Sequence, residues 1–204
     1  ISSPIYPQIF YIIKKIKNID ILYLSNPNNP SGYIYTKEEL NKLLKECTKN
    51  KCYLFVDEAF LDFSSDYNKL TFSKEIQKNK YLIILKTVTK LFSIPGLRLG
   101  LIAANEKIID KMKEFQYPWP INCFSQLIGS KILYHKNFIN KTLQYIYNEK
   151  KILYTELSMI KDLKIFPTHA NYFLSQIISN KKVKDLEHKL GKSKILIRNV
   201  YQIL

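Results

Sequence analysis

The chain has 204 residues, of which 46% are hydrophobic, and its formal net charge at pH 7 is +15. This length and composition predict one sizeable globular core, or one domain with part of another, rather than a disordered chain. The charge would suit a nucleic acid or an anionic membrane, but the lysines are scattered along the whole chain and no nucleic-acid-binding signature accompanies them. We therefore expect no nucleic-acid partner.

Cysteine content and hydrophobic runs indicate the compartment. Cys47, Cys52 and Cys123 are few and odd in number, which predicts a reducing environment without a disulfide framework. No apolar run is long enough to span a bilayer, and the first residues lack the pattern of a signal peptide. The three histidines show no metal-ligand spacing. We expect a cytoplasmic protein with no membrane segment and no metal site.

Strand and helix patterns alternate through the first half of the chain. Residues 19–25 (IDILYLS) predict a strand, which ends in the turn-forming sequence NPNNPSG at residues 26–32. Residues 52–56 (CYLFV) and 81–85 (YLIIL) predict two further strands, buried because their apolar runs are continuous rather than alternating.

Between the first two strands, Thr36 and Glu39 form a capping box that predicts the start of a helix. A helical or irregular connector is expected at residues 67–79. The later predicted elements are a strand at 99–104, a helix at 106–115, long helices from 123 to about 161 with a break near 135–137, a strand at 171–177, a helix at 183–190 and a strand at 195–198.

These patterns predict an α/β fold with a largely parallel sheet flanked by helices, followed by a smaller α+β unit. Residues 1–122 would form part of the large α/β domain, residues 123–163 long connecting helices, and residues 164–204 an incomplete small domain. The first residues read as the middle of a larger fold, and the last strand is followed by no closing element. We therefore expect the chain to be part of a longer protein.

The sequence LKTVTKLFSIPGLRLG at residues 85–100 carries the strongest chemical signal. Lys90 follows a buried strand, and a lysine amine in a dry pocket has a lowered pKa and can form a Schiff base with a carbonyl. Thr87 offers a hydroxyl, and Arg98 offers a guanidinium fork that suits a phosphate. A Schiff-base lysine beside a phosphate site suggests pyridoxal phosphate, whereas the alternative is a loop with ordinary surface lysines.

Two polar residues follow other predicted strands. Asn29 and Asp57 stand, like Lys90, where a strand ends, and ligands of parallel α/β sheets bind beyond the carboxyl ends of the strands. We therefore expect these three side chains to lie near one another. Simpler alternatives exist for three of the candidate residues. Asn29 could serve only as a turn former, Asp57 could cap the next turn, and Arg98 could be a surface ion-pair partner.

Four motifs occur together, in the order NPNNPSG (26–32), VDEAF (56–60), TVTK (87–90) and GLRLG (96–100). With them the chain resembles the fold-type I pyridoxal-phosphate enzymes. The resemblance implies that Lys90 attaches the cofactor and shuttles protons, and that Asp57 pairs with the protonated pyridine nitrogen, which keeps the ring able to accept electrons. It further implies that Asn29 donates to the 3-oxygen of the ring, and that Thr87 and Arg98 hold the phosphate.

The sequences VDEAFLDF, FSIPGLRLG, YPWPIN and ILIRN are similar to the threonine-phosphate decarboxylases of cobalamin biosynthesis. The related histidinol-phosphate aminotransferases typically have a tyrosine where this chain has Phe60. The resemblance therefore implies a carboxy-lyase that converts O-phospho-L-threonine to aminopropanol phosphate, with a histidinol-phosphate-type aminotransferase as the alternative. Arg198, in ILIRN, matches an arginine on the substrate side and would bind substrate phosphate or carboxylate, with Asn29 nearby; otherwise it is a surface arginine.

A third alternative is a partial chain that keeps the fold without the activity. In the family a glycine-rich turn supplies backbone N–H groups to the cofactor phosphate, and in this chain that turn would precede residue 1. A substrate arginine of the final strand would lie beyond residue 204. We expect the 204 residues alone to bind the cofactor weakly, and a full-length protein to act on a small amino-acid phosphate as a homodimer.

Overall fold

The structure is a computed structural model that describes residues 9–200, without the side chain of Phe10. Predictions for residues 1–8 and 201–204 lie outside the described residues. The helices within the described range are α1 (Ile9–Lys15), α2 (Lys37–Lys49), α3 (Tyr67–Leu70), α4 (Glu106–Glu114), α5 (Cys123–Ile132), α6 (Lys136–Ser158) and α7 (Val183–Lys192). The strands are β1 (Ile21–Ser25), β2 (Tyr53–Asp57), β3 (Leu82–Thr87), β4 (Gly100–Ala104), β5 (Leu163–Ile165) and β6 (Ser175–Ile177).

The main sheet has four strands in the order β1-β2-β3-β4. Strands β1, β2 and β3 run parallel, and β4 pairs with β3 in the antiparallel direction. Helix α2 crosses from β1 to β2, and the capping box predicted at its start is present in full. The predicted α/β class, with a mostly parallel sheet flanked by helices, is confirmed.

The two faces of the main sheet differ in what covers them. Alternate residues point to opposite sides of a strand. On the closed face, strand residues such as Leu24, Val56 and Ile84 pack with helices α1 and α2 in the main core. On the open face, Tyr23 of β1 pairs with Phe55 of β2, and Asp57 of β2 pairs with Leu85 of β3. Thr87 lies on the same face, two residues beyond Leu85. Tyr23 keeps 56% of its surface exposed.

A second core lies beyond the carboxyl end of β3. It contains Val88, Leu91 and Phe92 from the loop after that strand, together with Phe63 and Ile132. Partly buried residues of α5 and α6 pack against it. This core therefore fixes the start of the loop that carries Lys90.

The smaller unit consists of the antiparallel pair β5–β6 and helix α7, with α6 in contact with β5. Within residues 9–200, no helix is both long and apolar enough to cross a membrane. The domain boundaries given above stay a prediction.

Two expectations about elements were wrong, and one helix was missed. Residues 195–198 form no strand, and the Ile195 N–H donates instead to the Leu190 carbonyl at the end of α7, at 2.9 Å. The strand expected at 171–177 is only the short β6, paired with the unpredicted β5. Helix α1 was not predicted. A strand exists only where a partner completes its hydrogen bonds, and that partner is distant in sequence.

Candidate active site

Asp57 and Thr87 lie on the open face at the carboxyl end of the sheet. Asp57 is the last residue of β2, and its Cα pairs with Ser25 of β1 and Leu85 of β3. The NPNNPSG loop follows Ser25 directly, and Thr87 ends β3. The structure therefore places Asn29, Asp57, Thr87 and Lys90 at or just beyond one edge of the sheet.

Both oxygens of the Asp57 carboxylate are hydrogen-bonded. Oδ1 accepts from the Ala59 N–H at 2.9 Å, and Oδ2 accepts from the Tyr23 hydroxyl. Partial burial, and after it the hydrogen bond to Asp57 and the charge of Asp57, raise the pKa of Tyr23 to about 12. Tyr23 was not among the predicted site residues, although the alternation in ILYLS and the parallel pairing of β1 with β2 put it on the face of Asp57.

Lys90 is exposed and lies against an aromatic ring rather than a carboxylate. Its Nζ is 5.7 Å from the centroid of the Phe60 ring. No carboxylate within residues 9–200 comes within ion-pairing distance of that nitrogen. The Phe60 ring meets Tyr172 edge to face, with centroids 5.1 Å apart and an interplanar angle of 87°. These rings connect the lysine loop with the segment before β6.

The NPNNPSG loop is fastened to the segment 168–172. The Tyr172 hydroxyl donates to the Asn28 carbonyl at 2.9 Å, and the His169 N–H donates to the Gly32 carbonyl at 3.0 Å. Gly32 has a φ of +72°, and a Cβ built there would lie 1.9 Å from Thr168 Oγ1. The loop therefore needs glycine both for its backbone conformation and for close packing.

A cavity of about 520 Å³ lies beside this loop. Asn29 and Arg198 both line it, with Tyr172 and apolar side chains that include Leu186 and Leu190. The two residues assigned to substrate in the sequence analysis therefore share one cavity. It combines an apolar wall with two amides, of Asn29 and Asn199, and one guanidinium, the pattern of a small-molecule site.

Thr87 and Arg98 are held by local hydrogen bonds and do not contact each other. Thr87 Oγ1 lies 2.7 Å from Thr89 Oγ1 and donates to the Leu99 carbonyl at 3.3 Å. Arg98 is exposed, has a φ of +52°, and donates from Nη1 to the Pro95 carbonyl at 3.1 Å. Thr87 lies at the rim of a different cavity, of about 900 Å³, which Lys86, Asp62 and Tyr67 also line.

Lys86 has surroundings opposite to those of Lys90. Its Nζ donates to the Tyr67 hydroxyl at 2.8 Å and to Asp62 Oδ1 at 3.3 Å, and lies 3.5 Å from Glu58 Oε2. Burial alone would lower the pKa of Lys86, but Asp62, Tyr67 and Glu58 outweigh it and raise that pKa. Lys86 is therefore a fixed cation, unsuited to act as a free amine. None of the sequence motifs indicated this cluster.

The side chains at this edge fit the cofactor that the resemblance implies. Pyridoxal phosphate has a ring nitrogen, an aldehyde and a phosphate. Asp57 offers a carboxylate to the first, Lys90 an amine to the second, and Thr87 and Arg98 a hydroxyl and a guanidinium to the third. Each of these three groups of the cofactor therefore has a candidate partner among the described residues.

Three parallel strands, with a carboxylate, an amine, a hydroxyl and a guanidinium at or beyond their carboxyl ends, define an α/β protein of the class that binds small molecules at this edge. Residues 9–203 match the aminotransferase class I and II family, and the chain belongs to that family.

The relatives and solved structures that the chain resembles include proteins named for each of the two reactions considered above. A candidate threonine-phosphate decarboxylase from Caldanaerobacter subterraneus subsp. tengcongensis is 34% identical over 92% of this chain and 51% of its own length. A histidinol-phosphate aminotransferase from Clostridium kluyveri is 31% identical over 92% and 50%. The crystal structure of the histidinol-phosphate aminotransferase from Clostridium acetobutylicum superposes with a TM-score of 0.88 at 35% identity, over 94% of this chain and 57% of that one. The chain thus spans about half the length of the relatives it matches.

Proposed function

We propose that the protein containing this chain is a pyridoxal-phosphate-dependent decarboxylase of O-phospho-L-threonine, which yields aminopropanol phosphate for cobalamin biosynthesis. The observation that carries the choice of reaction is Phe60. Its ring packs between Lys90 and Tyr172, at the position where the aminotransferase branch is expected to have a hydroxyl. Support from relatives at similar identity is divided between the two reactions.

The cofactor, when bound, supplies a ring that accepts the electrons of a bond broken at the substrate α-carbon. Asp57 would hold the ring nitrogen in its protonated form, and the Tyr23 hydroxyl on its Oδ2 would fix the orientation of the carboxylate. Lys90 would attach the cofactor and later return a proton to the α-carbon. Its freedom from ion pairs within residues 9–200 supports that role, because a paired ammonium is hard to deprotonate.

Arg198 and Asn29 would hold the substrate in the cavity that they share. Decarboxylation releases the carboxylate of O-phospho-L-threonine. An arginine that binds the phosphate keeps the carboxylate free to depart, whereas an arginine that binds the carboxylate would hold the departing group in place. We propose that Arg198 binds the phosphate, since a guanidinium fork suits that group.

An aminotransferase of the histidinol-phosphate type is the second candidate. It is favoured by the crystal structure with 35% identity and a TM-score of 0.88. In that case the bond broken is the one from the α-carbon to hydrogen, and Lys90 takes the proton.

We further propose that the full protein is a cytoplasmic homodimer. The segment after α4 exposes large apolar side chains that a partner would cover, since monomers rarely leave such contiguous patches open. These are Phe115, Tyr117, Trp119, Ile121 and Phe124.

The test is product analysis with the full protein and pyridoxal phosphate. We expect carbon dioxide from O-phospho-L-threonine without any keto-acid acceptor. Arg198→Lys, which keeps the charge but loses the fork, should raise KM for this substrate. Formation of glutamate from 2-oxoglutarate with histidinol phosphate as donor, with no carbon dioxide from O-phospho-L-threonine, would replace the proposal with the second candidate.

A further inference from the structure

Two charged residues stand next to the proposed cofactor residues in sequence but point away from them. Glu58 follows Asp57, and Lys86 precedes Thr87. Because successive side chains of a strand turn to opposite faces, Lys86 lies on the closed face while Thr87 lies on the open one. Glu58 likewise turns inward and contacts the N–H of Phe72, a member of the main core.

Glu58 is fully buried and bonded at both oxygens. Oε1 accepts from the Phe72 N–H at 2.7 Å, and Oε2 accepts from the Thr71 hydroxyl at 2.9 Å. The Lys86 ammonium approaches Oε2 at 3.5 Å. The backbones are joined as well, since the Glu58 N–H donates to the Leu85 carbonyl at 2.8 Å. The ends of β2 and β3 are therefore tied together twice, directly behind Asp57 and Thr87.

The Lys86 ammonium has three N–H groups and three oxygen neighbours. Besides Glu58, these are Asp62 in the helical turn after β2 and the hydroxyl of Tyr67 in α3. All three belong to the segment 58–72, which also carries Phe60, the ring beside Lys90. The Lys86 ammonium thus joins β3 to the segment 58–72, whose Phe60 ring lies beside Lys90.

Stability alone does not account for such a cluster. Replacing a buried ion pair with apolar residues of similar volume is often neutral or stabilising, and in several proteins the gain from such a pair is a single fixed geometry. Fixed geometry matters at this place, because a displacement of about 1 Å at a catalytic group can cost about 100-fold in rate.

We propose that Lys86, clamped by Glu58, Asp62 and Tyr67, is a positioning residue that fixes Asp57 and Thr87 at the cofactor site from the opposite face of the sheet. This inference rests on the proposed cofactor. Lys86 touches neither cofactor nor substrate and acts through the strand ends.

The test uses the full protein with Lys86→Met, Lys86→Arg and the control Leu43→Ala. Leu43 is fully buried in the main core on α2, away from the strand ends, so its truncation lowers stability by another route. For each variant, urea unfolding gives stability without cofactor. Titration gives the dissociation constant of pyridoxal phosphate, and timed borohydride trapping gives the rate of labelling at Lys90.

We expect Lys86→Met to weaken cofactor binding by about 10- to 100-fold, as loss of an outer-shell partner does at metal sites. Labelling at Lys90 should slow in parallel, Lys86→Arg should recover most of both, and Leu43→Ala should change neither. If Lys86→Met does not fold, Glu58→Gln with Lys86→Met removes both buried charges and should fold with binding still weakened.

Equal loss of binding in Lys86→Met and Leu43→Ala at equal loss of stability would overturn the inference. Binding at the wild-type level in the double variant Glu58→Gln with Lys86→Met would also overturn it. If the wild-type protein itself binds no pyridoxal phosphate, the proposed function fails, and the inference fails with it. The two failures are therefore told apart by the wild-type titration.

Discussion

Replacing Gly32 with alanine should loosen the NPNNPSG loop from the smaller unit. Gly32 has a φ of +72°, and its added Cβ would lie 1.9 Å from Thr168 Oγ1 and 2.6 Å from Thr168 Cβ. Neither atom belongs to a long, flexible side chain that could swing aside. The His169 N–H, which donates to the Gly32 carbonyl at 3.0 Å, would be displaced along with Thr168.

The magnitude follows from two separate costs. A left-handed conformation costs a non-glycine residue about 1–2 kcal/mol, and an extra methyl group in a packed site costs about 1–3 kcal/mol. We therefore expect Gly32→Ala to lower the free energy of unfolding by about 2–5 kcal/mol, a large part of the roughly 5–15 kcal/mol typical of a domain.

Urea unfolding followed by far-UV circular dichroism measures the effect. Gly191→Ala is the matched control, because nothing lies within 4 Å of its added Cβ. Gly191 is in α7, so this change should stabilise by about 0.5–1 kcal/mol. Thr168→Gly removes the overlapping atoms, and in that background Gly32→Ala should lose only the conformational cost. The packing argument would be refuted if Gly32→Ala lowered the free energy of unfolding equally in the wild-type and Thr168→Gly proteins, or did not lower it in either.

Two other predictions concern single side chains. Borohydride reduction of the full protein loaded with pyridoxal phosphate, followed by peptide mapping, should place the pyridoxyl tag on Lys90, and a tag on Lys86 with Lys90 unmodified would contradict the assignment. Because burial, and after it the hydrogen bond and the charge of Asp57, raises the pKa of Tyr23 from 10.0 to about 12, the neutral Tyr23 side chain stabilises the fold below pH 10, and this contribution is lost as the pH rises through about 12. Tyr23→Phe should remove a tyrosinate that appears near pH 12 in an absorbance titration, and an unchanged signal near that pH would contradict the assignment.

Locally determined features were predictable from the sequence. The capping box of α2 depends on two side chains three residues apart, and both bonds form, from Thr36 N–H to Glu39 at 2.8 Å and from Glu39 N–H to Thr36 at 3.2 Å. The buried strand β2 was recognisable because its apolar run is continuous. Residues 195–197 are also continuously apolar but find no ladder partner among residues 9–200, because an apolar pattern does not identify a partner.

The residues of the candidate site were predictable from the sequence. The charged cluster on the opposite face of the sheet was not. The motifs gave Asn29, Asp57, Thr87 and Lys90, which all lie at or just beyond one edge of the sheet. They did not reveal the cluster around Lys86, whose partners come from the segment 58–72. The signal was present in the period-two pattern of β3, which puts Lys86 on the same face as Ile84. Because an unpaired lysine on a buried face costs free energy, this pattern predicts acidic side chains close to Lys86.

The exposed segment after α4 has an optical consequence. Trp119 is the only tryptophan of the chain, and it lies between two prolines with 90% of its surface exposed. Its indole is already in water when the sheet is folded, so its fluorescence should barely change when the cores melt. Any surface that covers the segment should shift the emission to shorter wavelength and shield it from iodide. This single fluorophore therefore reports on contacts between molecules and is nearly silent about folding.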